Sequence, residues 1–291
     1  MKFSPRAGAG RQSVSAINLA QLTPFLETLG LSEPPMALFY SQTQPAEGFH
    51  PKAGDTPTKE KEEQNAIDWG GVFGNFSCVM GNIWRARKKH SIAWMSAEHF
   101  GCPGGGFYLG FIKPQTDMIC TYVSSGIPGH MEGEHYVTDP AACRRLFETI
   151  DPLPASAPYC VFKPLDLLEA DEEAEVVIIF ARPEVISGLH FLTAFVTSDL
   201  NGVTTPWGAG CSHIVTFARQ YAAQGENKAV IGGWDPSCRK FLKTDELTFA
   251  APLSLFKLML ERWQESFLTT PTWELVKKKI ARSARAWGET D

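Results

Sequence analysis

No run of about 18 apolar residues occurs in the chain, which excludes an ordinary membrane-spanning helix. A CxxC pair is also missing, and with it the local spacing by which zinc and cluster sites are most often recognised. No GK[ST] follows the glycine-rich stretch, and no GxGxxG sits between a strand and a helix, so nucleotide binding has little support. Positive charge is in short supply: the formal net charge is −5, which argues against a field that gathers nucleic acid or an anionic membrane. The one basic cluster, Arg85, Arg87, Lys88 and Lys89 beside His90, reads as the solvated end of a helix. The N-terminal stretch MKFSPRAGAGRQSVSAINL lacks an apolar h-region with a small-residue cleavage site, so the expectation is a cytoplasmic protein. No repeat of solenoid period is visible.

What is present is enough for a sizeable core. The chain has 291 residues, 44% of them hydrophobic and 20% charged, a composition in the globular range. Its seven cysteines, in a reducing compartment, are expected to stay thiols, and the odd count argues against a closed disulfide framework.

The pattern predicts an α+β fold, a mixed sheet with helices packed on it. Residues 1–14 read as a tail, 15–267 as one domain whose halves meet near 151–165, and 268–291 as a surface helix. Strands are expected at 36–40, 92–96, 107–112, 176–181, 229–233 and 247–251. Helices are expected around 15–29, 78–89, 139–150, 184–197, 211–222 and 253–267. The run Val176 to Ile179 suits a strand buried on both faces. Residues 41–64 are polar and read as a surface loop, and the proline-punctuated PLPASAPYCVFKPLDLL reads as a connection.

The chemistry concentrates between Phe76 and Tyr122, which hold three cysteines, a glycine triplet and many aromatics. Cys78 falls in or just before the first turn of a helix, where unpaired N–H groups favour its thiolate. GCPGGG places Cys102 beside Gly104, Gly105 and Gly106, a turn whose backbone N–H groups can form an anion nest or simply join two strands. WGAGCSHIV sets Cys211 and His213 at the head of another helix, repeating the placement of Cys78. In WDPSCRK, Asp235 and Arg239 can pair across a turn, or the Arg239 guanidinium can reach a ligand anion. His130, Glu132, Glu134 and His135 match no standard zinc spacing and read as a polar loop.

FSCVM, GCPGGGFYLGF, VVIIFARPEVISGL, WGAGCSHIV and GGWDPSCRKF…DELTFAAPLSLFKLML, taken in order, resemble domain-of-unknown-function family 169, bacterial and archaeal cytoplasmic proteins. The resemblance spans about Leu22 to Arg262. It implies that Cys78, Cys102, Cys211 and Arg239 are the recurring features, leaves Cys120, Cys143, Cys160 and Cys238 as core or surface residues, and brings no mechanism with it.

Three functions fit these residues. Cys78, Cys102 and Cys211 can converge on zinc or an iron–sulfur cluster, with His99 or His213 as a spare zinc ligand. Alternatively the pocket takes a small molecule without metal, using Gly104 to Gly106 as donors, Arg239 as the charge and Trp84, Phe107, Tyr108 and Trp207 as an apolar wall. In the third, Cys78 or Cys102 is a catalytic or redox thiolate served by His99 or His213. No nucleic-acid or membrane partner is expected.

Overall fold

The computed structural model describes residues 17, 19–31, 33–53, 58–64, 66, 78–113, 117–127, 129 and 131–288. In chain order the helices are α1 (Leu19–Leu29), α2 (Lys59–Glu63), α3 (Val79–Lys89), α4 (Pro103–Tyr108), α5 (Met118–Val123), α6 (Pro140–Ile150), α7 (Pro183–Thr197), α8 (Phe217–Gln224), α9 (Leu253–Arg262) and α10 (Pro271–Ala286). The strands are β1 (Met36–Ser41), β2 (Ala93–Ser96), β3 (Gly126–Ile127), β4 (Met131–Glu132), β5 (Tyr159–Pro164), β6 (Val176–Ala181), β7 (Val203–Thr204), β8 (Ala229–Gly232) and β9 (Leu247–Pro252).

Seven strands form one mixed sheet in the order β2-β5-β1-β6-β9-β8-β7, with β3 and β4 a separate ribbon. Among the strand pairs of the described residues, β7 and β8 pair parallel and the others of this sheet antiparallel. The fold is α+β. Alternation along β6 shows why the sheet is covered twice: Val176, Ile178 and Phe180 join one core cluster, while Val177, Ile179 and Ala181 join the other. The first cluster packs under α3, α6 and the segment leading into α8; the second packs under α1, α7 and α9. The first layer carries the pocket described below.

Buried charges fasten this layer. Arg219 donates to Glu175 at 2.7 Å, to the Tyr40 hydroxyl and to the carbonyls of Leu153 and Pro154. Arg87 bridges Glu33 and Glu246 with its guanidinium 3.8 Å from the Phe180 ring centroid.

Three expectations are corrected. Residues 107–112 are not a strand: Cys102 caps α4, Pro103 occupies its first turn, and Gly110 at φ +79° turns the chain away. The segment read as a connection contains β5, which pairs antiparallel with both β1 and β2. The expected 211–222 helix opens with one widened π-helical turn, Ser212–Thr216, before α8. The expected N-terminal tail and the start of the first helix, at 15 and 16, lie outside the described residues.

Candidate functional site

A cavity of about 880 Å³ opens on the first layer, walled by the start of α3, by α4 and α5, by residues 205–213 and by the turn 234–241. Cys78, Cys102 and Cys211 all line it, and so does Cys238, for which the sequence suggests only a core or surface place. Rings of Tyr108, Phe147, Trp207 and Trp234 supply the apolar wall.

Cys78 is the N-cap of α3. It makes no cap hydrogen bond of normal geometry, so the nearby N–H groups act on the sulfur as dipoles. The S–H of Cys238, hydrogen-bonded to Cys78, draws its pKa down to about 7; burial opposes this, and the N–H groups of Gly81 and Met80 assist. The other three thiols go the opposite way. Burial, then the charge of Cys78, pushes Cys102 up to about 12, even though the Gly105 N–H donates to its sulfur at 3.2 Å. Burial and the charges of Cys102 and Cys78 raise Cys211 well above the ordinary thiol range. Cys238 is raised too, first because it donates to Cys78 and then by burial. The wall therefore carries one sulfur ionised near neutral pH and three protonated neighbours, since each further negative charge would sit against the first.

Asp235 ties the far wall together. Its Oδ1 accepts from the Ser237 N–H and hydroxyl, and its Oδ2 accepts from the Gly210 N–H at 2.9 Å and from the Cys238 S–H at 3.1 Å. One S–H thus faces two acceptors, the Asp235 carboxylate and the Cys78 sulfur. Gly210 makes this contact possible, because a Cβ there would lie 2.7 Å from the Cys238 sulfur and 3.4 Å from Met80 Cγ. Across the cavity, burial and the charge of Asp235 hold Glu134 above the usual carboxylate range, against hydrogen bonds from Ser237 and Tyr122.

His213 is 1% exposed and lines the cavity. Its Nε2 lies 2.8 Å from the Pro206 carbonyl, so Nε2–H donates and Nδ1 is the unprotonated nitrogen. Among the described residues that Nδ1 has no hydrogen-bond partner, and burial lowers the pKa so that the ring stays neutral.

Residues 25–262 match the family described as Uncharacterised ArCR, domain-of-unknown-function family 169. The chain belongs to family 169. No curated protein and no solved structure matches it.

Several expected site residues of this family-169 protein stand elsewhere. Arg239 is not a ligand arm: its guanidinium donates to the carbonyls of Gly233, Lys243, Thr244 and Glu246, clamping the turn from behind, and it does not pair with Asp235. Gly104 and Gly105 line the cavity, but Gly106 does not; it packs against Ile112 and Phe100. The anion nest is absent from this loop, since the Gly105 N–H serves the Cys102 sulfur and the Gly106 N–H serves the Cys102 carbonyl. His99 Nδ1–H donates to the Pro51 carbonyl beside Trp94 and His50, away from the cavity wall. Phe107 and Trp84 are likewise outside the wall. Cys211 lies within a helical turn at φ −70°, ψ −28°, and so does not repeat the capping position of Cys78. Of the polar loop, Glu134 faces the cavity, Glu132 and His135 are exposed, and His130 lies outside the described residues.

Among the described residues, no three His, Cys, Asp or Glu side chains group as a single metal ion requires. A tetrahedral zinc about 2.3 Å from each sulfur would need them closer. Cys238 is the missed residue, and Asp235, expected to pair with Arg239 or reach a ligand, instead holds Cys238; the signal is Asp-Pro-Ser-Cys, a capped turn that returns the third residue after the aspartate to its carboxylate. Among the described residues, no helix is long and apolar enough to cross a membrane.

Proposed function

We propose that the protein binds a small, largely apolar molecule in the 880 Å³ cavity and engages it through the Cys78 thiolate. The size suits a molecule of drug-like dimensions, and the ring-lined wall with few polar groups suits an aromatic or otherwise apolar body. A thiolate favours a soft centre on that molecule, whether an electrophilic carbon or a sulfur. The observation that carries this reading is the placement of Cys78 at the N-cap of α3 on the wall of this one ring-lined cavity, with Cys102, Cys211 and Cys238 on the same wall; the lowered Cys78 pKa agrees with it.

Iodoacetamide labelling across pH, with the modified peptide identified, tests it. Cys78 is expected to react first, with an inflection near pH 7, and an aromatic thiol-reactive probe is expected to outpace iodoacetamide at that site only. Cys78→Ser should remove both effects while keeping the fold, because serine is itself a good helix cap. Equal reactivity at all cysteines would refute the reading. Anaerobic purification with iron, zinc and acid-labile sulfide analysis runs in parallel. A stoichiometric cluster or zinc would replace this reading with the metal one, in which Cys78, Cys102, Cys211 and Cys238 are the thiolates to consider. A [4Fe–4S] cluster bonds each cysteine to a different iron and spaces the sulfurs more widely than one ion does.

A further inference from the structure

Four thiols share one wall, but they are not equivalent in what surrounds them. Cys102 has its sulfur engaged by the Gly105 N–H at 3.2 Å. Cys211 lies 7% exposed inside a helical turn, with no carboxylate bonded to its sulfur. Of the four, Cys238 is the one whose S–H donates to a carboxylate, the Oδ2 of Asp235 at 3.1 Å, and it sits on the turn that packs against the α3 start carrying Cys78. The packing around this pair is tight: a Cβ at Gly81 would lie 3.0 Å from the Phe241 ring, so the first turn of α3 is pressed directly onto the turn that carries Cys238. Both residues line the cavity, so a molecule held there lies against the two together.

We infer that Cys78 and Cys238 form a dithiol–disulfide couple that exchanges with a small organic disulfide bound in the cavity. This rests on the cavity reading above and names the substrate class. The Cys78 thiolate attacks one sulfur of the disulfide R–S–S–R′, forming the mixed disulfide Cys78–S–S–R and expelling R′S⁻. The Cys238 proton passes through the Asp235 carboxylate to that departing thiolate, giving R′SH. The Cys238 thiolate then attacks the Cys78 sulfur, expelling RS⁻, which takes the proton Cys78 gave up on ionising. In sum, two protein thiols lose two electrons and two protons, and one disulfide becomes two thiols. The reverse reaction, with a small thiol as reductant, restores the pair. Asp235 is a positioning residue and proton carrier for Cys238, and Cys102 and Cys211 stay out of the exchange as protonated wall residues.

The test uses the full chain, fully reduced, with 5,5′-dithiobis(2-nitrobenzoate) as the disulfide probe. Released thionitrobenzoate is counted, and the product is mapped by peptide mass. Cys78→Ser supplies the background from the other cysteines. Above that background, the wild type is expected to release two thionitrobenzoates per chain, retain no adduct, and yield a Cys78–Cys238 crosslinked peptide. Cys238→Ser is expected to release one and to keep the adduct on Cys78. In Asp235→Asn the adduct should form as in the wild type but resolve at least about tenfold more slowly. That variant keeps both cysteines, so the couple remains testable if Cys238→Ser does not fold. A wild-type adduct that persists on Cys78 overturns the couple but leaves the thiolate reading standing, whereas an unlabelled Cys78 overturns both. A crosslink from Cys78 to Cys102 or Cys211 overturns the choice of Cys238.

Discussion

Replacing Cys238 with alanine separates two sources of the Cys78 thiolate, the thiol hydrogen bond and the start of α3. In the wild type the Cys238 S–H is the largest influence holding Cys78 near 7. Without it, only the Gly81 and Met80 dipoles oppose burial, and the group returns to about 8.5, the ordinary value of a free thiol, or higher. At pH 7 the ionised fraction then falls from about one half to about 3%, roughly fifteenfold. A more basic thiolate is also a better nucleophile, which restores about four- to sixfold over that change in pKa. Alkylation at pH 7 is therefore expected to slow by only about threefold, while above pH 9 the variant should overtake the wild type by about four- to sixfold. The crossing of the two curves is the diagnostic. It is measured by iodoacetamide rates at Cys78 from pH 5.5 to 10, with thiolate absorbance as a second readout. Cys238→Ser, whose hydroxyl still donates, should keep the inflection near the wild-type value. An alanine variant whose inflection stays at about 7 would refute the argument and assign the effect to the helix start alone.

Gly104→Ala should be nearly neutral, because a Cβ there meets only Tyr108 and the Cys102 sulfur at 3.8 and 3.9 Å, whereas Gly105→Ala would set a Cβ 2.6 Å from the Phe100 carbonyl and 2.8 Å from Val79 and should cost about 1–3 kcal/mol or more in urea melts. Arg219→Met strands Glu175 and frees the carbonyls of Leu153 and Pro154, and a loss of about 3–5 kcal/mol is expected by the same measurement. For pH, Cys78 is depressed in the fold, so its contribution is present above about 8.5 and is lost as pH falls through about 7. Cys102 and Cys160, both pushed up to about 12, contribute stability below about 8.5 that is lost as pH rises toward 12. The difference in urea midpoint between wild type and Cys78→Ser should therefore grow from pH 7 to 8.5, and a flat difference would count against the assigned ionisation.

Local pattern was sufficient where burial and propensity agree. Six apolar residues, Val176 to Ala181, announce β6 because nothing else buries such a run so economically, and Pro140 after Asp139 announces α6. It failed where tertiary contacts overrule composition. Three consecutive glycines argue against a helix by about 1 kcal/mol each, yet Gly105 and Gly106 stand in α4 because no larger residue fits against Phe100, Val79 and Ile112. Prolines around β5 looked like punctuation, although Pro164 closes the strand and Pro154 and Pro158 precede it. That Cys78, Cys102 and Cys211 line one cavity accords with the reading from helix starts and glycine-rich turns, whereas the capped Asp-Pro-Ser-Cys turn points Cys238 to Asp235 and says nothing of Cys78. The proximity of Cys238 to Cys78 depends on how α3 lies across the 236–241 turn, and no spacing in the chain encodes that. Arg239 misled for a related reason: an arginine in a turn serves a ligand or its own backbone with the same geometry, and only the carbonyls of residues 233 to 246 decide which.

The cavity borrows its walls from points as remote in the chain as residue 78 and residue 238, next to strands β2 and β8 that stand on opposite sides of the β1–β6 pairing in the sheet order. No excised fragment can keep it, and loosening either flank empties it. A molecule of the proposed kind is expected to act as a clasp for the fold, stabilising it by about 2.7 kcal/mol when present at a hundredfold excess over its dissociation constant. A simple thermal-shift screen of soft, ring-bearing compounds is thus also a search for the natural cargo.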